Sequence, residues 1–288
     1  MALALDRGIF TLSLDFELAW GSRDVVRDLP ALERMALVTR EAVVPPMVEL
    51  FRRRGVVATW ATVGHLFLDT EAQEPAYAAR SLVRALRDAG QEVGSHSFEH
   101  PVFGQIDETT ADRDLARCVA EAGVLGMQLR SFVFPRNVPG HVPLLKKHGF
   151  RTWRPPEPAW YKRRGVPGPA QRLAHLVDVA RAACPPTVMP WRDEHGLCCL
   201  PASATFLPID GVRRAIPMRQ RVRRATAGID EAARTRRVSH LYTHPINLAT
   251  DPAAMLAGLG AVIDHAARLR DRGEIDILSM DQVADLLD

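Results

Sequence analysis

Short apolar or β-branched runs alternate with longer amphipathic segments along almost the whole chain, and this alternation limits the possible folds most strongly. The runs predicted to be strands cover residues 10–14, 56–63, 92–95, 131–134, 150–153, 197–206, 238–243 and 275–278. Strands that alternate with helices pair in parallel through right-handed crossovers. Seven or eight such units in one run favour a closed or nearly closed barrel over an open sheet, so we predict a distorted, TIM-like (β/α)7–8 barrel.

The chain of 288 residues is long enough to build one barrel-sized domain. It shows neither an internal repeat nor a clear linker, and we therefore predict a single catalytic domain over residues 1–288. Prolines interrupt the pattern between residues 154 and 196. A long irregular connection inside a compact domain is typical of a segment that lines or covers a site, so we predict a lid there.

Charge and hydropathy exclude several classes of protein. The net charge of +3 gives no reason to expect a nucleic-acid partner. No apolar run approaches the roughly 20 residues that a membrane span requires. The first residues lack the basic lead and the apolar core of a signal peptide. We therefore predict a cytoplasmic protein without an integral membrane segment, and the oligomeric state stays open.

Two histidines four positions apart, His96 and His100, follow the predicted strand at 92–95. A helical turn would put both imidazoles on one face, where they could bind a divalent metal ion. A third ligand is required, and the best candidates are Asp15 and Glu17, which alternate to the same side of the first strand. One carboxylate could bind the metal while the other transfers protons. A lone histidine pair is more often a surface or core feature than a metal site. The other residues predicted to lie near the pair therefore decide between the two interpretations.

Chemically active side chains recur at the carboxyl ends of the predicted strands. Asp15 and Glu17 follow the first strand, the histidine pair follows the third, Arg136 follows the fourth and His244 follows the seventh. In parallel barrels, active sites are built at this end. Four strands that each deliver such groups to one rim indicate a shared site.

Four segments resemble the motifs of one family, and they occur in the family's order over nearly the whole chain. They are Leu-Asp-Phe-Glu at 14–17, Glu-Val-Gly-Ser-His-Ser-Phe-Glu-His-Pro at 92–101, Phe-Pro-Arg-Asn at 134–137 and Leu-Tyr-Thr-His-Pro at 241–245. The chain thus resembles the polysaccharide deacetylases of carbohydrate esterase family 4, relatives of the nodulation chitooligosaccharide deacetylases. It departs from the family's commoner first motif, two adjacent aspartates, because Phe16 separates Asp15 from Glu17.

The resemblance implies a role for each motif residue. Asp15 would be the catalytic base, and His244 the general acid. Glu17, His96 and His100 would hold the metal, for which we predict Zn²⁺ first, with Co²⁺, Ni²⁺ and Fe²⁺ as alternatives. Arg136 would keep Asp15 ionised and oriented. We further predict a set of substrate-binding residues near the motifs and in the lid: Trp20, Asn137, Glu157, Trp160 and Asn247.

The implied reaction is the hydrolysis of an N-acyl group, foremost N-acetyl, from an amino sugar that is free or carried on a nucleotide or lipid phosphate. Alternatives on the same scaffold are the removal of formyl groups and the opening of cyclic amides or ureides. A non-catalytic carbohydrate-binding relative is a third reading, against which Asp15 and His244 argue, since binding alone requires neither. The arginine-rich segment at 212–237 is predicted to be helical, with its arginines on a solvated face. Alternatively, these arginines could contact a nucleotide diphosphate or an anionic membrane.

Overall fold

The computed structural model describes residues 5–158 and 168–288, and within these ranges the strands pair into one sheet. The strands are β1 (Gly8–Phe16), β2 (Thr59–Thr62), β3 (Glu92–Ser95), β4 (Ser131–Val133), β5 (Thr152–Arg154), β6 (Trp191–Arg192), β7 (Cys198–Cys199), β8 (Ala204–Thr205), β9 (Val238–Thr243) and β10 (Ile275–Ile277). Their order is β6-β7-β5-β4-β3-β2-β1-β9-β8, with β10 beside the first half of β1.

Among the described strands every ladder is parallel except the one between β6 and β7. The sheet curls into a partly closed barrel, which confirms the predicted fold class. The central strand β1 is buried along its whole length and pairs with both β2 and β9. The register sets Leu14 opposite Trp60 on one side and Thr243 on the other, so the carboxyl ends of these strands lie at one rim.

Helices pack against the sheet and against one another. They are α1 (Leu29–Val38), α2 (Val44–Arg54), α3 (Arg80–Asp88), α4 (Glu108–Val124), α5 (Val142–Lys147), α6 (Gly168–Ala180), α7 (Met218–Thr235), α8 (Pro245–Leu248), α9 (Pro252–Asp271) and α10 (Met280–Asp285). The main hydrophobic core joins the apolar residues of β1 and β2 to the inner faces of α2, α4 and α9. No helix within the described ranges is long and apolar enough to cross a membrane.

Two elements differ from the prediction. The strand predicted at 197–206 is two short strands, because Pro201 interrupts the run; β7 pairs with β5 and β6, while β8 pairs with β9. The periodicity of residues 30–54 predicts a helical run that Pro45 and Pro46 break into two helices, but the break is a π-helical turn over Thr39–Val43. Pro45 and Pro46 lie in the first turn of α2, where a missing N–H costs no helical hydrogen bond.

The arginines of α7 do not all lie on a solvated face, so that prediction is partly wrong. Arg221 is 3% exposed and donates to the carbonyls of Leu207, Pro208 and Ile216, as well as to that of Arg213. Arg224 is also buried and donates to the carbonyl of Ala183, which follows α6. A guanidinium carries five donors in a fixed fork, which suits it to tie a chain of carbonyls together.

Candidate metal centre

Glu17, immediately after β1, faces the two histidines that follow β3. Its Oε1 lies 2.9 Å from Nε2 of His96 and 3.3 Å from Nε2 of His100. All three side chains are buried. Gly21 leaves room for this carboxylate, because a Cβ at that position would lie 2.1 Å from Oε2 of Glu17. A carboxylate and two imidazoles from different strands therefore meet at one point of the rim.

The histidines converge through a loop and not through the helical turn that we predicted. Ser97 and His100 take left-handed backbone angles, with φ of +64° and +61°. Residues other than glycine adopt this region at a cost, so the contacts around the loop must hold it there. Gly64 allows the end of β2 to approach: its N–H donates to the Ser97 carbonyl at 2.8 Å, and a Cβ there would lie 2.9 Å from Cα of Phe98.

Asp15 and His244 lie beside the three candidate ligands. Nε2 of His244 is 3.6 Å from Oδ2 of Asp15 and 3.6 Å from Oε1 of Glu17. Asp15 is buried, whereas the side chain of His244 is 30% exposed. The buried carboxylate is thus placed to accept a proton inside the site, and the imidazole is placed to meet a group that enters from solvent.

Arg154, at the end of β5, holds Asp15. Its Nη1 and Nη2 donate to Oδ1 and Oδ2 of Asp15 at 2.7 Å each, in the bidentate geometry that a guanidinium forms with a carboxylate. The prediction that Arg136 performs this role is wrong. Arg136 donates to the Gly21 carbonyl and to Asp24 instead, because its left-handed backbone (φ +58°) turns it toward the loop after β1.

A buried histidine, His240, supports Arg154 through the hydroxyl of Ser13. Arg154 Nη1 donates to Oγ of Ser13 at 2.9 Å, and this hydroxyl is 2.8 Å from Nε2 of His240. Nδ1 of His240 faces the Pro201 carbonyl, which can only accept, so Nδ1 carries the proton. Nε2 then accepts the hydroxyl proton of Ser13, and the lone pairs of Ser13 remain available to Arg154. Burial, together with the charge of Arg154, lowers the pKa of His240 to about 3.

The two carboxyl groups stay ionised although they are buried. Burial by itself raises the pKa of Asp15, but the charge of Arg154 and the attraction of His244 outweigh it and hold that pKa below its ordinary value. Burial likewise raises the pKa of Glu17, yet the facing imidazoles, His244 foremost, hold it well below its usual range. The site therefore presents two anions at neutral pH.

These residues fit a divalent metal ion. One donor atom from each of Glu17, His96 and His100 lies within 4.8 Å of the others. A carboxylate oxygen with two imidazole nitrogens suits Zn²⁺, Co²⁺, Ni²⁺ and Fe²⁺. Nε2 of His100 is buried without a hydrogen-bond partner, and a bound cation would satisfy it by accepting its lone pair as a ligand. Nδ1 of His96 bonds to the Val133 carbonyl at 2.7 Å, which turns Nε2 toward Glu17.

The structure describes four of the five predicted substrate-binding residues. Trp20 is packed away, stacked on His65 and donating to the Glu99 carbonyl. Asn137 accepts from Arg154 at 3.3 Å, and Glu157 is buried within electrostatic range of Arg154. Asn247 lies half-buried in α8, just after His244. Trp160 lies outside the described residues.

Sequence reasoning missed Arg154, Ser13 and Asp114. Arg154 ends a strand that was predicted at 150–153, so the rule that placed the other residues at the carboxyl rim would have included it. Ser13 alternates with Asp15 and Glu17 on one side of the first strand, which is a usable signal. Asp114 lies within a helix and is buried against the histidine loop. Helical spacing puts it on the same face as Ala111 and Cys118, and a carboxylate on that apolar face is the signal that could have found it.

Fold and geometry together define the class: a partly closed parallel β/α barrel that gathers two imidazoles and two carboxylates at the carboxyl rim. The family model of the polysaccharide deacetylases matches residues 36–153, which confirms the family predicted from the motifs. The match includes His96, His100 and Arg136, but not Asp15, Glu17 or His244. None of the curated proteins compared has a significant match to the sequence.

Solved structures with similar folds have low sequence identity. A Mycobacterium smegmatis protein assigned as a polysaccharide deacetylase is 16% identical, with a TM-score of 0.69 over 99% of this chain and 93% of its own. A Pseudomonas aeruginosa PAO1 protein with the same assignment is 13% identical, with a TM-score of 0.68 over 96% and 90%. An allantoinase is 12% identical, with a TM-score of 0.68 over 96% and 89%. At these identities the likeness establishes the fold alone.

Proposed function

We propose that the protein is a metal-dependent hydrolase that removes an N-acyl group, foremost N-acetyl, from an amino sugar. The observation that carries this proposal is the meeting of Glu17, His96 and His100 with Asp15 and His244, all within 3.6 Å of a neighbour in the set. Zn²⁺ is the first candidate for the metal. A structural or binding role would require neither the ionised base nor the half-exposed imidazole.

The bound metal ion would supply Lewis acidity, which polarises the amide carbonyl and acidifies water. Glu17, His96 and His100 would hold it and leave further positions open. Asp15 accepts the proton from the attacking water, and Arg154 keeps this carboxylate ionised and fixed in direction. His244 donates a proton to the departing amine, which is too basic to leave as an anion. A positioned acid or base of this kind contributes about 10²–10⁴-fold to the rate.

The opening of a cyclic amide or ureide is the second candidate. The allantoinase reaches nearly the same TM-score as the deacetylase-assigned proteins, so the barrel itself accommodates either kind of amide. The chemistry of the rim residues is common to both reactions. The two candidates differ only in the substrate.

The direct test is an assay of the Zn²⁺-loaded chain against acetyl and formyl amino sugars, free, nucleotide-linked and lipid-linked, and against allantoin. Released acetate supports the proposal, and ring opening of allantoin alone would replace it by the second candidate. His96→Ala should lose both metal and turnover, whereas His244→Gln should keep the metal and lose about 10²–10⁴-fold in rate.

His148→Gln is the matched control, because His148 pairs with Asp112 on α4, away from the site. It should leave both metal content and turnover unchanged. Wild-type turnover in His96→Ala would show that the metal assignment is wrong. Wild-type turnover in His244→Gln would remove the general acid from the proposal.

A further inference from the structure

The loop that carries both histidines is fixed by a carboxylate from a neighbouring helix. Asp114 in α4 is 7% exposed and points at the loop. Its Oδ1 accepts from the Phe98 N–H at 2.7 Å, and its Oδ2 accepts from the Glu99 N–H at 2.8 Å. Both oxygens of one side chain are therefore used on two consecutive backbone amides.

These two amides lie between the two left-handed residues of the loop, Ser97 and His100. Successive N–H groups that converge on one point form a concave site for an anion. In this loop the anion is the side-chain carboxylate of Asp114. Ser97 also stabilises the loop, because its Oγ accepts a hydrogen bond from the His100 N–H at 3.0 Å.

The two histidines depend on this bracing to different degrees. His96 is held by the sheet, since its N–H bonds to the Thr62 carbonyl at 2.9 Å and its ring bonds to the Val133 carbonyl. His100 follows directly after the two amides that Asp114 binds, and its Nε2, which faces Oε1 of Glu17 at 3.3 Å, makes no hydrogen bond that would fix the ring. The direction of the His100 imidazole therefore depends on the backbone of the loop.

We infer that Asp114 is a positioning residue of the metal centre: it holds the loop so that the imidazole of His100 faces Glu17. This inference rests on the proposed metal-dependent function. Asp114 does not contact the candidate ligand atoms, and it acts only through His100. Its replacement should therefore weaken metal binding in the way that a misplaced third ligand would.

The test is the affinity of the 288-residue chain for Zn²⁺ alone, measured by competition with a chromophoric chelator. Asp114→Asn supplies one acceptor and one donor, so one loop amide faces an NH₂ group and loses its partner. We expect binding to weaken by about 10–100-fold, the usual effect of losing a group that orients a ligand. Asp112→Asn, on the same helix but paired with Lys147 and His148 at the surface, should remain within twofold of the wild type.

A double-mutant cycle distinguishes positioning from general destabilisation. If Asp114 acts through His100, then Asp114→Asn should have no further effect on Zn²⁺ affinity in a His100→Ala background. An equal loss in both backgrounds would show that Asp114 supports the fold and not the ligand. If Asp114→Asn does not fold, Asp114→Glu keeps both acceptors but shifts them by one methylene. Its affinity should be measurably below that of the wild type, and an unchanged affinity would overturn the inference.

Failure of the underlying function is recognised separately. A wild-type chain that binds no Zn²⁺ would remove the metal centre, and the role of Asp114 with it. A wild-type chain that binds Zn²⁺ through His100, with unchanged affinity in Asp114→Asn, would overturn the role of Asp114 alone.

Discussion

Replacement of Arg154 by methionine tests the electrostatics of the site most directly. Arg154 is fully buried, and methionine keeps much of the length of its aliphatic stem while it removes the charge. Asp15 would lose both of its guanidinium hydrogen bonds, and Ser13 would lose its donor. The variant leaves a carboxylate buried without its main partner.

The cost follows from the loss of one member of a buried ion pair. Removal of one partner typically costs about 3–5 kcal/mol, because the remaining charge is desolvated and uncompensated. Domains are commonly stable by about 5–15 kcal/mol, so the variant should fold at 25 °C but unfold at lower urea concentrations. The comparison is made on metal-free protein in the presence of a chelator.

The cost should depend on pH in a defined direction. In the wild type the pKa of Asp15 is lowered, so the pair adds stability above the unfolded pKa, and this is lost as pH falls through the folded pKa. Without Arg154, burial becomes the dominant influence and raises the pKa of Asp15 above its unfolded value. The variant then carries a penalty at neutral pH that disappears as Asp15 is protonated. The deficit should shrink by about 1.4 kcal/mol per pH unit across that interval.

Urea unfolding followed by circular dichroism at pH 7 and at pH 5 measures both effects. Arg136→Met is the control, because Arg136 pairs with Asp24 at the surface and does not touch Asp15. Its unfolding free energy should change little, and equally at both pH values. Equal destabilisation of Arg154→Met at both pH values would refute the reasoning, since it would trace the cost to lost packing. A pH-dependent deficit in Arg136→Met would refute the assignment of the partner.

Two further outcomes are expected. The ring of His240 should stay neutral down to about pH 4, because burial and the charge of Arg154 lower its pKa to about 3. An NMR titration with a midpoint above pH 5 would contradict the assignment in which neutral His240 accepts the hydroxyl proton of Ser13. Arg221→Met should lower the unfolding free energy by about 2 kcal/mol or more, because it leaves several buried carbonyls unpaired; a change below about 0.5 kcal/mol would show that water replaces the guanidinium.

Local sequence patterns were sufficient to predict the barrel fold and the end of the barrel at which the candidate site lies. The strands at 92–95 and 238–243 are predicted with the bounds that the structure has, because short buried runs between polar turns are visible in the sequence. The rule that parallel strands bring their carboxyl ends to one rim was enough to group Asp15, Glu17, the histidine pair and His244. The family motifs then connected that group with one kind of chemistry.

The sequence by itself determined which elements form and which edge of the sheet carries the reactive groups, because period and spacing are local properties of the chain. Only the tertiary structure decided that Arg154 and not Arg136 holds Asp15, and that a left-handed loop, not a helical turn, directs His100 toward Glu17. These contacts join residues far apart in sequence. Their existence depends on how strands and helices pack, and packing brings together side chains whose local patterns carry no sign of one another.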